Sequence, residues 1–165
     1  MEIYTIYLSN SVGIDYASRT ELKSELDKRN IIIPNDCSLG NYVHIGDNCT
    51  IADKCFIGKH TSIGKNCKIG KDTEIRNSCC IGDNTIIGDG CFIQEHCIIG
   101  NNNTICGYTG IRNNTTIGND NILFDNVAID YHVTIGNNCK LCSLTSIGAF
   151  SKIPNNTIIN PFSNV

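Results

Sequence analysis

Histidine is the side chain best suited to exchanging a proton near neutral pH, and three of the four in this sequence are evenly spaced. His60, His96 and His132 each stand 36 residues from the next. Glu95 precedes His96, Asp130 lies two residues before His132, and Asn114 falls midway between the two histidines. A ring oriented by a carboxylate or amide neighbour is the arrangement general-base catalysis needs. His96, with Glu95 and Asn114, is therefore the first candidate base, and His132 the second. The plainer alternative is that these are turn residues with no catalytic part. His60 sits beside Lys59, and His44 falls outside the spacing.

The spacing belongs to a larger pattern. From Ile33 to Ile159 every sixth residue is Ile or Leu, which makes 22 hexads without interruption. Gly commonly follows the aliphatic residue, as in Ile45-Gly46 and Ile63-Gly64. A small residue stands four places after it, from Cys37 and Val43 through Thr73 to Ser163. Asn and Asp crowd the positions between, as in Asp47-Asn48 and Asn137-Asn138. A period of six fits neither an amphipathic helix nor a simple alternating strand. It fits a short strand and a turn, repeated, with the aliphatic and small residues facing inward and Gly, Asn and Asp bending the chain. Three hexads close a triangular coil, so residue n lies one strand spacing, about 4.8 Å, from residue n+18. The expected architecture is all-β: a parallel β-helix of about seven coils over residues 33–165.

In this register His60, His96 and His132 form one outward column, with Ser78 and Asn114 in the intervening coils. Successive histidines stand two coils, about 10 Å, apart. That is too far for a shared metal within one chain, and none is expected. The register also accounts for most of the 11 cysteines. Cys37, Cys49, Cys55, Cys67, Cys79, Cys91, Cys97 and Cys139 fall in the small inward column, where they serve as compact buried residues. Pairs such as Cys79 and Cys97 stack on adjacent coils, close enough that distance alone does not exclude a disulfide. Cys139 and Cys142 form a lone CxxC without the second pair a zinc site needs. Asn103 and Asn121 also point inward one coil apart, which predicts a short side-chain amide ladder.

Residues 1–32 break the repeat. Ile3 to Leu8 reads as a strand, and Ser18 with Glu21 makes a capping box that opens a helix to about Arg29. Leu22 and Leu26 give this helix an apolar stripe, and its expected place is over the open first coil. A net charge of −3 argues against nucleic acid as the partner. No apolar run is long enough to cross a membrane, and Met-Glu-Ile-Tyr lacks the pattern of a secretory signal. A reducing cytoplasm is the expectation.

The hexads resemble the left-handed β-helix of the hexapeptide-repeat transferase superfamily over 132 residues. Handedness is implied by the resemblance, since period alone does not fix it. Most members are acyl-CoA-dependent acyltransferases that act as homotrimers with active sites between subunits. The C-terminal run Ile147-Gly148-Ala149-Phe150-Ser151, followed by Pro154-Asn155-Asn156-Thr157 and Asn160-Pro161, resembles the closing segment of bacterial sugar acetyltransferases. There such coils lie against coenzyme A. The likeness implies a coenzyme contact at Gly148, Ala149, Ser151 and Pro161, with Lys140, Lys152 and Arg112 as cations for its phosphate. Phe150 stands where that family has glycine, the connecting loop is shorter, and the Lys that follows the last Pro there is missing. The stretch Ile75-Arg76-Asn77-Ser78-Cys79-Cys80-Ile81-Gly82 is similar instead to the β-helix tails of nucleotide-sugar pyrophosphorylases, which oligomerise or regulate.

The leading expectation is an acetyl-CoA-dependent O- or N-acetyltransferase acting on a sugar, in particular a nucleotide-linked amino sugar. Direct attack would proceed with His96 as base and a backbone amide steadying the oxyanion. In nucleotide-sugar N-acetyltransferases of this superfamily the catalytic histidine lies four places before the next Ile-Gly. His96 lies three before Ile99. The alternative is a non-catalytic β-helix that assembles or scaffolds. A gamma-class carbonic anhydrase is a distant third, because no two histidines stand five residues apart.

Overall fold

The computed structural model describes residues 4–8, 12–16 and 19–165, with side chains from residue 22 onward. The hexads build a left-handed parallel β-helix with three sheets along its sides. After β1 (Tyr4–Leu8), β2 (Val12–Tyr16) and α1 (Arg19–Lys28) come β3 (Ser38–Leu39) and β4 (Val43–Ile45). The remaining strands, β5 (Thr50–Ile51) to β23 (Ile158–Ile159), have 2 residues each. Every strand of the coils pairs in parallel with the residue 18 positions on, as Cys80 does with Ile98 and Ile98 with Thr116. Sheet A has 9 strands because β1 pairs in parallel with β4 and antiparallel with β2. Sheets B and C have 7 each, beginning at β5 and β3.

The N-terminal segment thus contributes the expected strand and helix together with a second strand, β2, that the sequence pattern did not announce. Leu26 of α1 is buried and Leu22 is partly buried against the core. The helix ends where Ile31 N–H donates to Leu26 O at 2.9 Å, and Arg29 O then accepts Asn48 N–H from the next coil. The capping serine, Ser18, lies outside the described residues.

Inside, the aliphatic column is sealed from solvent from Ile45 to Ile147. The small column follows a second rule. Thr61 Oγ1 donates to Arg76 O at 2.7 Å and Thr73 Oγ1 to Gly88 O at 2.8 Å. Cys49 Sγ donates to Gly64 O at 3.0 Å and Cys97 Sγ to Arg112 O at 3.2 Å in the same way. Cys and Thr interchange here because each is compact and brings one donor for a carbonyl 15 residues on. All 11 cysteines are free thiols. Burial pushes the Cys55 and Cys91 thiols up to about 11, which keeps them protonated and unreactive.

Two expectations need correction. Asn103 and Asn121 form no amide-to-amide ladder. Asn103 Oδ1 accepts Asn121 N–H, Asn121 Oδ1 accepts Cys139 N–H, and Asn103 Nδ2 donates to Gly118 O. Stacked backbone amides lie closer to these side chains than the next side chain does. Nor do the glycines turn the corners. The third residue after each aliphatic holds the positive φ, near 60°, and from Tyr42 on it is a non-glycine residue everywhere but at Gly90. Asn, Asp and His tolerate this left-handed conformation better than most side chains. Glycine instead marks where coils press together. A Cβ on Gly118 would run into Asn137 Oδ1 and lie 2.7 Å from Gly136 O. That Asn137 oxygen accepts Asn119 N–H at 2.7 Å. Glycine after the aliphatic residue thus makes room for an Asn or Asp 19 positions later, as Gly64 does for Asp83 and Gly100 for Asn119.

Candidate functional site

The three corners of the prism differ in chemistry. Between sheets A and B stand Asn30, Asn48, Asn66, Asn84, Asn102, Asp120, Asn138 and Asn156, each one coil from the next. Their side chains hydrogen-bond in series from Asn30 to Asp120, and again from Asn138 to Asn156, at 2.8–3.3 Å. The corner between sheets B and C turns apolar toward the C-terminus, with Tyr108, Leu144 and Phe162 exposed. The corner between sheets C and A carries Tyr42, His60, Ser78, His96, Asn114, His132 and Phe150.

This last corner holds the candidate site. Its histidines occupy the positive-φ position, with backbone amides already bonded: His96 N–H donates to Asn77 O and His132 N–H to Asn113 O, both at 3.1 Å. The side chains are left to project outward, as the column register predicts. Two of the rings are committed to aromatic neighbours. His60 stacks on Tyr42 at 4.9 Å, and His132 stacks on Phe150 at 5.3 Å with Tyr131 edge-on. The exposed His96 ring has no aromatic contact or hydrogen bond among the described residues.

The turns here also abandon the glycine rule. Arg76, Gln94, Arg112 and Asp130 stand in successive coils where the corner between sheets A and B has Gly82, Gly100, Gly118 and Gly136. Arg112 reaches Asp130 at 3.4 Å, a pair too exposed to add much stability. Asn113 N–H donates to Gln94 Oε1 at 3.3 Å, and Glu95 N–H donates to Asn113 Oδ1 at 3.2 Å. Glu95 O accepts Asn114 N–H at 3.1 Å. The coil of His96 is thereby tied to the coil of Asn114, as the 18-residue register requires.

Beside this corner sheet C presents the outward column Phe92, Gly110, Ala128, Ser146. A Cβ on Gly110 would meet nothing within 4 Å. The result is a shallow trough of small residues, closed at one end by Phe92. Arg76 lies over both Phe56 and Phe92, 5.7 and 5.5 Å from the ring centroids, and pairs with Glu74. Gly148 and Ala149 lie at the far end of the trough, and Ser151 and Lys152 continue around the corner from them.

Lys140 stands apart on sheet B, and Pro161 belongs to the corner between sheets B and C. Within one chain the coenzyme candidates therefore divide between two regions. Gln94, Asn113 and Gly110 escaped the sequence reading, although the loss of glycine from 11 of the 22 hexads was visible there. Among the described residues no group of three His, Cys, Asp or Glu could hold a metal ion, and no helix is long and apolar enough to cross a membrane.

Coil and register together define a hexapeptide-repeat β-helix. Residues 41–124 match the family of the GMPPB C-terminal domain, and the chain belongs to that family. The match takes in Gln94, Glu95, His96 and Asn114 and ends before His132. A comparison with curated protein sequences finds no match. Among solved structures, the acetyltransferase domain of PglB from Neisseria gonorrhoeae in complex with acetyl coenzyme A superposes with a TM-score of 0.50 at 13% identity, over 87% of this chain and 63% of that one. A UDP-N-acetylglucosamine acyltransferase from Francisella novicida matches at 24% identity and TM-score 0.42, over 82% of this chain and 60% of that one. A perosamine N-acetyltransferase variant from Caulobacter crescentus in complex with CoA and GDP-perosamine matches at 13% identity and TM-score 0.46, over 85% and 59%. The chain spans about 60% of the length of these proteins. The fold is shared with acyltransferases at low identity.

Proposed function

We propose that the chain is an acetyl-CoA-dependent acetyltransferase whose acceptor is a sugar, in particular a nucleotide-linked amino sugar, working at the corner between sheets C and A. The observation that carries this reading is the concentration of chemistry there. Arg76, Gln94, Arg112 and Asp130 replace glycine in successive coils of this corner, and Glu95, His96 and Asn114 stand with them beside the trough. His96, free of ring contacts, is the base: it takes the proton of the acceptor amine or hydroxyl as that group attacks the thioester carbonyl. Glu95 adjoins it in the chain and Asn114 in the next coil, although neither is bonded to its ring in this structure. Acetyl-CoA supplies the activated acetyl group, its pantetheine arm lying along Gly110, Ala128 and Ser146 toward Gly148 and Ala149. Ser151 and Lys152 adjoin that end, with Lys152 a cation for the coenzyme phosphate. His132, clamped against Phe150, is the weaker candidate base.

Flat sides make threefold association natural. In a homotrimer Lys140 and Pro161 of one subunit could face the trough of the next. A cytoplasmic setting agrees with the free thiols.

Thermal-shift titration with acetyl-CoA, and separately with coenzyme A, is the direct test. A ligand bound only by the folded state adds about 2.7 kcal/mol at one hundred times its Kd, so saturable stabilisation is expected. Absence of any shift at millimolar ligand would remove this reading. A second reading, a non-catalytic β-helix used for assembly, is favoured by the family match, since that family is named for one domain of a larger protein. It predicts no response to acetyl-CoA.

A further inference from the structure

Gln94 occupies a place that glycine fills in 11 of the 22 hexads, and its carboxamide is bonded to the next coil. Its oxygen accepts the Asn113 backbone N–H at 3.3 Å. Because that partner is a donor, the oxygen is the end of the amide that faces it. The Nε2 group therefore faces away from Asn113 and has no acceptor among the described residues. Gln94 lies two residues before His96 in the same turn, and it borders the trough at the Phe92–Gly110 step. The turn is braced further by Asn113 Oδ1, which accepts Glu95 N–H at 3.2 Å.

From this geometry we infer that Gln94 Nε2 is the donor that stabilises the thioester carbonyl oxygen during acetyl transfer. The inference rests on the acetyltransferase reading above and replaces the backbone amide expected from the sequence with a named side chain. Balanced atom by atom, the acceptor nitrogen or oxygen forms a bond to the carbonyl carbon while His96 takes its proton. The carbonyl π pair moves onto oxygen, where Gln94 Nε2–H donates to the growing negative charge. The pair then returns, the carbon–sulfur bond breaks, and the departing sulfur takes the proton from His96. A donor already oriented before the reaction needs no rearrangement as the charge appears, which is why such groups affect rate more than binding.

Two substitutions separate this role from a structural one. Gln94→Glu keeps an oxygen for Asn113 N–H and removes the donor. Gln94→Met removes both at similar volume. With acetyl-CoA and a nucleotide-linked amino sugar that the wild-type chain acetylates, Gln94→Glu is expected to lower kcat about 10²–10³-fold with KM for acetyl-CoA little changed and the thermal midpoint retained. Gln94→Met is expected to lose kcat to the same extent. A Gln94→Glu enzyme with wild-type kcat overturns the inference, and so does one whose loss lies in KM alone. If the wild-type chain neither binds acetyl-CoA in the thermal-shift assay nor acetylates any such acceptor, the transferase reading fails, and the inference with it. Acetyl-CoA binding and turnover by the wild type beside an unaffected Gln94→Glu variant isolates failure of the inference alone.

Discussion

The corner between sheets A and B and the corner between sheets C and A have the same backbone and opposite uses. In the first, glycine, then Asn or Asp, then Asn recurs in most coils, broken at Lys65 and Asp120, and most of these side chains bond the coil next to them. In the second, the same positive-φ geometry carries histidine, serine, tyrosine and phenylalanine, and the glycine column gives way to Arg76, Gln94, Arg112 and Asp130. Stability resides in the repeating corner, so the other is free to vary. A β-helix can in this way hold a reactive turn on a rigid edge without any long loop.

If this division of labour is right, substitutions at the two corners should fail differently. The largest effect is expected from His96→Ala, which should reduce acetyl transfer about 10²–10⁴-fold while the thermal midpoint stays near that of the wild type. Activity at the wild-type level would return the histidine column to plain turn residues. Next comes a matched glycine pair. Gly118→Ala forces a methyl group against Asn137 and the backbone of the adjoining coil, an overpacking cost of about 1–3 kcal/mol in denaturant unfolding. Gly110→Ala meets only open space, so it should unfold like the wild type yet bind acetyl-CoA more weakly by calorimetry. Equal stability losses at both sites would erase the contrast.

Smaller effects probe the asparagine ladder. Asn84→Ala removes hydrogen bonds of 3.0 and 3.2 Å and places alanine at a φ of 56°, costing about 1–2 kcal/mol. Ser78→Ala, at the same φ region but outside any ladder, should cost less in the same unfolding experiment. The least effect, and the only gain, is expected at Asp120. Its carboxylate accepts Asn102 Nδ2 at 3.0 Å but has no amide hydrogen to pass on to Asn138. Asp120→Asn supplies one, and a rise of about 0.5–1 kcal/mol in unfolding free energy should follow.

The architecture was legible because an uninterrupted Ile and Leu column admits few alternatives. The outward histidine column followed from it directly. The strand β2 was not legible, since Val12–Tyr16 lies outside the repeat and forms by pairing with β1. The role of glycine was misread for a specific reason. Its partner stands 19 residues away, so the sequence shows a glycine at every turn where the structure shows a close approach between coils. The same distance hid Gln94. Its departure from glycine matters only once Asn113 is seen stacked against it. Arg112 stood out in the sequence as a cation for the coenzyme phosphate, but its pairing with Asp130 required the coil register.

The 18-residue register has a consequence for how such a chain can lengthen or shorten. Insertion or deletion of a single hexad leaves the Ile column intact and the interior filled, yet it turns every later residue by one corner. A hexad inserted between Asn114 and Tyr131 would carry His132 into the asparagine corner, away from His96 and Asn114. Only whole coils can be gained or lost with the corners still aligned, so length variation that preserves the site should come in steps of 18 residues, however well steps of six would fold.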